Sequence, residues 1–250
     1  MKKAIRYILL TVCVCVFCYS AYNLINIYLN YKKIDDDYGE LAKTYTKEKE
    51  EKEEKESYLQ INWDELLQRN KDVKAWIQIP NTNVNYPVLQ GETNDTYIHS
   101  DIDHNELSAG SIFIASENED PFNDFNTVIY GHNMKIGGEM FSQLKEYEDE
   151  SFYKEHPNFY IYTPDGKTRT YTVFSAAVVK DTADQYNLTY ATDEAFESYL
   201  KMCKEDSAYD TGTEVNAQSQ IVSLSTCTNV REDERFLLQG VLTATDGGEN

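Results

Sequence analysis

Cysteine is scarce where it would count structurally. Of the five in this chain, Cys13, Cys15 and Cys18 fall in an N-terminal apolar segment, leaving only Cys203 and Cys227 for the rest. That excludes the multi-bridge framework of a small secreted domain. Histidine is equally thin: His99, His104, His132 and His156 are the only four. With no CxxC pair and no HExxH motif, a zinc site has no support in the sequence, and no metal or cofactor is expected. Positive charge is the third shortage, since 23 Lys and Arg against 43 Asp and Glu give a formal net charge of −20. Polyanions are bound through basic patches, so nucleic acid and anionic membrane are excluded as partners of the folded part. What remains is a chain of 250 residues, 41% of them hydrophobic. Once a tail is set aside, that suits one domain with a sizeable core.

Charge is missing altogether between Tyr7 and Tyr31, just behind Lys2, Lys3 and Arg6. Such a run is long enough to span a hydrocarbon core of about 30 Å as a helix. A cleaved signal peptide is the competing reading, with "CYSA" as a loosely small-x-small site. Because the uncharged run continues well past that site, residues 1–31 are expected to be a retained membrane anchor. The basic cluster favours an inside amino end, which places the body outside. Residues 32–57, including "DDDYGELAKTYTKEKEEKEEKES", have almost no large aliphatic side chains. Glu and Lys at helical spacing can support an exposed helix, so a solvated stalk is expected here, with a docking site as the alternative.

Residues 58–250 form the expected globular domain. Asn62 and Glu65 have capping-box spacing ahead of Leu66 and Leu67, which predicts a short helix. Eight β runs follow: "KAWIQIP", "VNYPVLQ", "GSIFIAS", "NTVIYGH", "NFYIYTP", "TRTYTVFSAAVVK", "QIVSLST" and "RFLLQGVLTA". The fifth and sixth are joined by "TPDGKT", a hairpin signal. Helical patterns interrupt the series at "GEMFSQLKEYEDESFYKEHP" and "TDEAFESYLKMCKED". In the second, Phe196, Tyr199, Leu200 and Cys203 recur at i, i+3, i+4 and i+7, which places Cys203 on a buried stripe as a structural residue. The pattern predicts a mainly β fold, a closed eight-stranded barrel with short helices.

Cys227 closes the run "IVSLSTC" and is followed by turn-forming Thr and Asn, a place where a thiol can be partly exposed and, near a cation, reactive. His132 follows the apolar run ending at Tyr130, with Gly131 marking the strand end. Arg235 opens the last apolar run. Taken singly, His132 reads as a surface or capping histidine and Arg235 as a solvated or ion-paired residue. Jointly, a thiol, an acid/base group and a permanent cation at the ends of three strands can converge at one mouth of a barrel.

"LSTC" at Leu224 to Cys227, the upstream "YGHN" at Tyr130 to Asn133, and an Arg eight residues after the Cys resemble a sortase. The helix at Asn62 and the long helical insertion before the Cys strand resemble class B sortases in particular. Ser223 stands where the family's motif usually has Thr, and Thr228 where some class B members carry an acidic residue. The resemblance implies a sortase-like barrel and a membrane-anchored cysteine transpeptidase of Gram-positive cell surfaces. Cys227 would cleave a C-terminal sorting signal after Thr, in a thiol-protease-like first step, and form a thioester with a secreted protein. His132 would serve as acid and base, and Arg235 would donate to the oxyanion or the substrate backbone. An amine of a peptidoglycan precursor or cross-bridge would accept the acyl group. The same pattern places Asn94 and Ile98 in the substrate groove, Thr182 and Tyr186 on the wall formed by the insertion, and Ser225 beside the nucleophile. As plain residues, Asn94 and Thr182 read equally as turn residues and Tyr186 as core cover. Two rival readings stand: a pilin-polymerising or other-class sortase, and a membrane-tethered interaction module with an inert Cys227.

Overall fold

The structure, a computed structural model, describes residues 2–48, 58–134 and 138–248. Positions 49–57 of the expected stalk lie outside the described residues. The chain divides into two units, Met1–Glu40 and Leu41–Asn250. The first consists of helix α1 (Lys2–Tyr45) up to Glu40. By length and composition α1 is able to cross a membrane, a test that a signal sequence also passes.

In the second unit, β1 (Thr46–Glu48) pairs antiparallel with β2 (Leu59–Ile61), a ribbon without any alternating pattern in the sequence. The predicted helix follows as α2 (Trp63–Arg69), capped by Asn62, whose side chain accepts from the Glu65 N–H at 3.5 Å. Only half of the capping box forms, because the Asn62 N–H donates to the Tyr45 carbonyl at 2.8 Å.

The barrel is built from β3 (Val73–Gln78), β4 (Asn85–Leu89), β5 (Ile112–Ile114), β6 (Asn126–Tyr130), β7 (Asn158–Tyr162), β8 (Lys167–Lys180), β9 (Ile221–Cys227) and β10 (Glu234–Gly247). These eight strands match the eight β runs and close in the order β10-β8-β7-β3-β4-β5-β6-β9. Full closure leaves no edge for a second chain to pair with. Two pairings are parallel, β4 with β5 and β6 with β9. Ile112, Ile129, Leu224 and Leu238 are fully buried, each contributing on the order of 1.5–3 kcal/mol by leaving water. The β7–β8 hairpin turns through Gly166 at φ +79, the left-handed conformation for which the Asp-Gly pair was suited.

Between β4 and β5 lies the single turn α3 (Asp95–Ile98). The helical pattern after β6 splits in two, a 3₁₀ helix over Ser142–Glu148 and then α4 (Glu150–Glu155). The break is at Asp149, which is extended and accepts from the Ser151 N–H at 2.8 Å. A short acidic side chain that bonds its own downstream backbone restarts a helix instead of continuing one.

The insertion between β8 and β9 carries α5 (Asp193–Asp206), capped by Thr192. Its stripe of Phe196, Tyr199, Leu200 and Cys203 packs on Phe174, Ile221 and Val241, so Cys203 is a core residue. Beside this apolar patch lies a buried polar cluster. Asn126 donates to the carbonyls of Gln185 and Asn187 and accepts from Ser223. Gln239 donates to both Ser223 and Tyr199.

Candidate active site

Strand register assembles the site. Across the outer face of the sheet, Phe113 on β5 is paired with Tyr130 on β6, Tyr130 with Ser225 on β9, Ser225 with Leu237 on β10, and Leu237 with Ala177 on β8. Side chains two residues apart on a strand share a face. The next row on that face therefore holds Cys227 directly opposite Arg235, which in turn is paired with Val179. His132 lies two residues beyond Tyr130, past the end of β6, where the Gly131 N–H still donates to the Ser225 carbonyl at 3.1 Å and keeps the chain beside β9. Residues directly opposite on antiparallel strands have Cβ atoms roughly 4.5–5.5 Å apart. Thiol, imidazole and guanidinium thus share the lining of a groove of about 210 Å³ with Asn94, Ile98 and Phe113.

Gly131 makes the placement of His132 possible. A Cβ at this position would lie 2.4 Å from Ile112 Cδ1 and 2.7 Å from the Phe141 ring, so only glycine lets the chain leave β6 this close to the core. The imidazole is then fixed by its Nε2, which lies 2.7 Å from the Ile98 carbonyl oxygen. A carbonyl only accepts, so Nε2 carries the proton, and in the neutral ring Nδ1 is the nitrogen left with a lone pair. The next residue reaches the backbone of the cysteine itself: Asn133 Nδ2 donates to the Cys227 carbonyl at 2.7 Å. Asn229 returns the strap by donating to the Asn133 carbonyl at 2.9 Å.

Burial lowers the His132 pKa below its usual 6.5, the Ile98 carbonyl opposes that shift, and the neighbouring His99 adds to it. The two imidazoles are stacked with centroids 5.6 Å apart. A cationic His99 repels a cationic His132, so removing it must raise the His132 midpoint. In an NMR titration of the ring protons, His132 is expected to titrate below 6.5 and to move upward in His99→Ala. A midpoint that stayed fixed would show that the stack carries no charge coupling.

Arg235 is tethered on one side. Nη1 donates to the carbonyls of Glu232 (2.6 Å) and Glu234 (3.0 Å), and Nη2 lies 3.3 Å from Asp181 Oδ2. Ser225 is buried, and its hydroxyl is 2.7 Å from the Tyr186 hydroxyl. Tyr186 stacks on Tyr130 and packs against Ala177, Val179 and Leu237, so it roofs the first row. Burial pushes the Tyr130 phenol up to about 12. Asn94 lines the groove with its amide committed: Nδ2 donates to Glu117 at 2.9 Å and Oδ1 accepts from the Ser116 N–H at 2.9 Å. Ile98 supplies both a groove wall and the carbonyl that holds His132. Thr182 stands apart, exposed in the turn after β8 and outside the groove lining.

Five contributors were not marked by the sequence. Phe113 sits in the middle of an apolar run, where only alternation separates an outward from an inward side chain. Tyr130 and Asn133 lie inside the quoted "YGHN" without a role of their own. His99 and Asp181 belong to loops, and nothing in their local pattern points to His132 or Arg235.

Residues 77–243 match the sortase domain family model. Sortase B of Listeria monocytogenes is 37% identical over 71% of this chain and 72% of its own length. Among solved structures, the Staphylococcus aureus sortase B–substrate complex superposes with a TM-score of 0.68 at 29% identity, covering 72% of this chain and 84% of that one. A sortase B complexed with triglycine superposes with a TM-score of 0.67 at 30% identity, covering 72% and 85%.

Proposed function

The chain belongs to the sortase family, within class B, and from that premise we propose a membrane-anchored cysteine transpeptidase that fixes secreted proteins to the cell wall. The observation that carries the reading is the single row of His132, Cys227 and Arg235 at one mouth of the barrel. Residues 1–31 act as the anchor, 32–57 as the stalk and 58–250 as the catalytic domain, with the amino end inside and the domain outside the cell. Class B assignment also favours this reading over a pilin-polymerising one.

The chemistry follows from the groups present. The Cys227 thiolate attacks the carbonyl carbon that follows a Thr in a C-terminal sorting signal. The C–N bond breaks, and His132 Nδ1 gives its proton to the departing amine. Arg235 donates to the oxygen on which negative charge develops, and its cation favours the thiolate. An amine of a peptidoglycan precursor or cross-bridge then attacks the thioester, passes its proton to His132 and expels Cys227 as thiolate. The substrate and triglycine complexes of relatives support a peptide donor and an amine acceptor of this kind. Asn94, Ile98 and Ser225 line the groove that takes the peptide, and Tyr186 backs it through its contact with Ser225; Thr182, exposed outside that lining, meets only peptide that extends past the groove.

The test uses the full chain in detergent with a library of Thr-containing pentapeptides. Intact mass is expected to show a thioester, mapped to Cys227 by digestion. A library that leaves Cys227 unloaded would remove the transpeptidase reading. Alkylation gives a second check, against an inert interaction module. Burial pushes the Cys203 thiol up to about 12, so peptide mapping is expected to find Cys227 labelled well before Cys203. Equal, slow labelling of the two would favour the inert module.

A further inference from the structure

Arg235 has five N–H donors in one rigid plane. Two are spent on the carbonyls of Glu232 and Glu234, and a third points at Asp181 Oδ2, 3.3 Å from Nη2. The donors left over have no partner among the described residues, and the side chain lines the groove beside Cys227. Asp181 is itself anchored. It stands one residue beyond the Lys180–Glu234 pair that ends the β8–β10 ladder, and its N–H donates to the Asp233 carbonyl at 3.0 Å. Glu232, Asp233 and Glu234 crowd the sequence just before Arg235, and Glu234 is engaged by Arg231 at 3.2 Å. A flexible Arg beside several carboxylates has many competing orientations, and freezing one requires a fixed counter-ion.

We propose that Asp181 is the positioning residue for Arg235, selecting the one guanidinium orientation whose remaining donors face the acyl group on Cys227. The inference rests on the donor role given to Arg235 above. It assigns the arginine's acidic partner to the first residue of the insertion, while the position after the nucleophile, Thr228, is neutral. The two side chains are 24% and 39% exposed, and ion pairs this open add little to stability. A purely structural role therefore has little to act through.

The experiment measures kcat, KM and Tm for the full chain in detergent, using the library pentapeptide that loads Cys227 fastest. Asp181→Asn is expected to lower kcat about tenfold or more, on the scale by which roughly 1 Å of misplacement costs up to 10². KM and Tm should change little, and Asp181→Glu should recover most of the rate. Single-turnover thioester formation then closes a double-mutant cycle: in an Arg235→Ala background, Asp181→Asn is expected to add no further loss. Full kcat in Asp181→Asn beside a crippled Arg235→Ala would overturn the inference and leave the role of Arg235 intact. An equal loss in both backgrounds would also overturn it, since Asp181 would then act independently of the arginine. Full activity in Arg235→Ala would instead remove the donor role itself, and the inference with it.

Discussion

Cys227→Ala is expected to abolish both thioester formation and transfer to an amine, with no residual turnover above the uncatalysed rate. No other thiol in the catalytic unit can substitute. Cys203 is packed under α5 against Phe174 and Ile221, on the covered side of the insertion. Ser225 shares the outer face with Cys227, but it is buried and its hydroxyl is engaged by Tyr186. A serine two residues back on the strand is also displaced by roughly 6–7 Å along it. Removing one sulfur from a half-buried strand end is a small truncation, so the variant should fold with a Tm close to wild type. Intact mass and product chromatography read the two steps separately. A covalent adduct that persisted in Cys227→Ala would mean that the nucleophile has been misassigned.

His132→Ala is expected to cost about 10² to 10⁴ in the rate of thioester formation, the usual scale for losing a positioned acid/base group. Asn133 and Asn229 strap the backbone around Cys227 but neither titrates, and His99, the imidazole stacked on His132, is outside the groove lining. Alanine also leaves the Ile98 carbonyl without its donor, at a cost of about 1–3 kcal/mol if that oxygen stays dry. His132→Gln keeps a possible donor to Ile98 and separates the chemical loss from the structural one: it should fold like wild type and remain slow. The wild-type pH profile carries a further signature. The His132 pKa is lowered, chiefly by burial, so the imidazolium that protonates the leaving amine is lost as pH rises through a value below 6.5. That limb should vanish in both variants. A His132→Gln enzyme with wild-type rate and profile would transfer the acid/base role elsewhere.

The barrel was legible because each strand is a short run whose apolar side chains have one place to go. Cys227, His132 and Arg235 were legible because rare residue types each stood at the end of such a run. Their joint geometry was not, since nothing local states that β6 and β9 run side by side in parallel; that comes from chain closure. For the same reason Asp181 and His99 read as ordinary loop residues. Asp149 shows a different limit: a helical periodicity continued through it, but an Asx-type contact with Ser151 outcompeted the helix at one position. The Thr46–Glu48 ribbon had no pattern at all, because three residues are too few to show a period of two.

The buried cluster of Asn126, Ser223 and Gln239 has a consequence for the chemistry at the other end of the strands. An antiparallel hairpin has a turn to set its alignment, whereas β6 and β9 are far apart in sequence and have none. If β9 slid by one residue against its neighbours, Thr226 would take the place of Cys227 in the row and the thiol would point into the barrel. Asn126 meets Ser223, and Ser223 meets Gln239, only in the native alignment; a slip of β9 breaks both contacts inside a dry layer and leaves Asn126 and Gln239 only their bonds to the insertion. Buried polar contacts are best attested in this kind of registry duty. The amide–hydroxyl–amide chain acts as an alignment key, cut several residues from the lock it serves, and it makes misthreaded versions of the enzyme unstable as well as inactive.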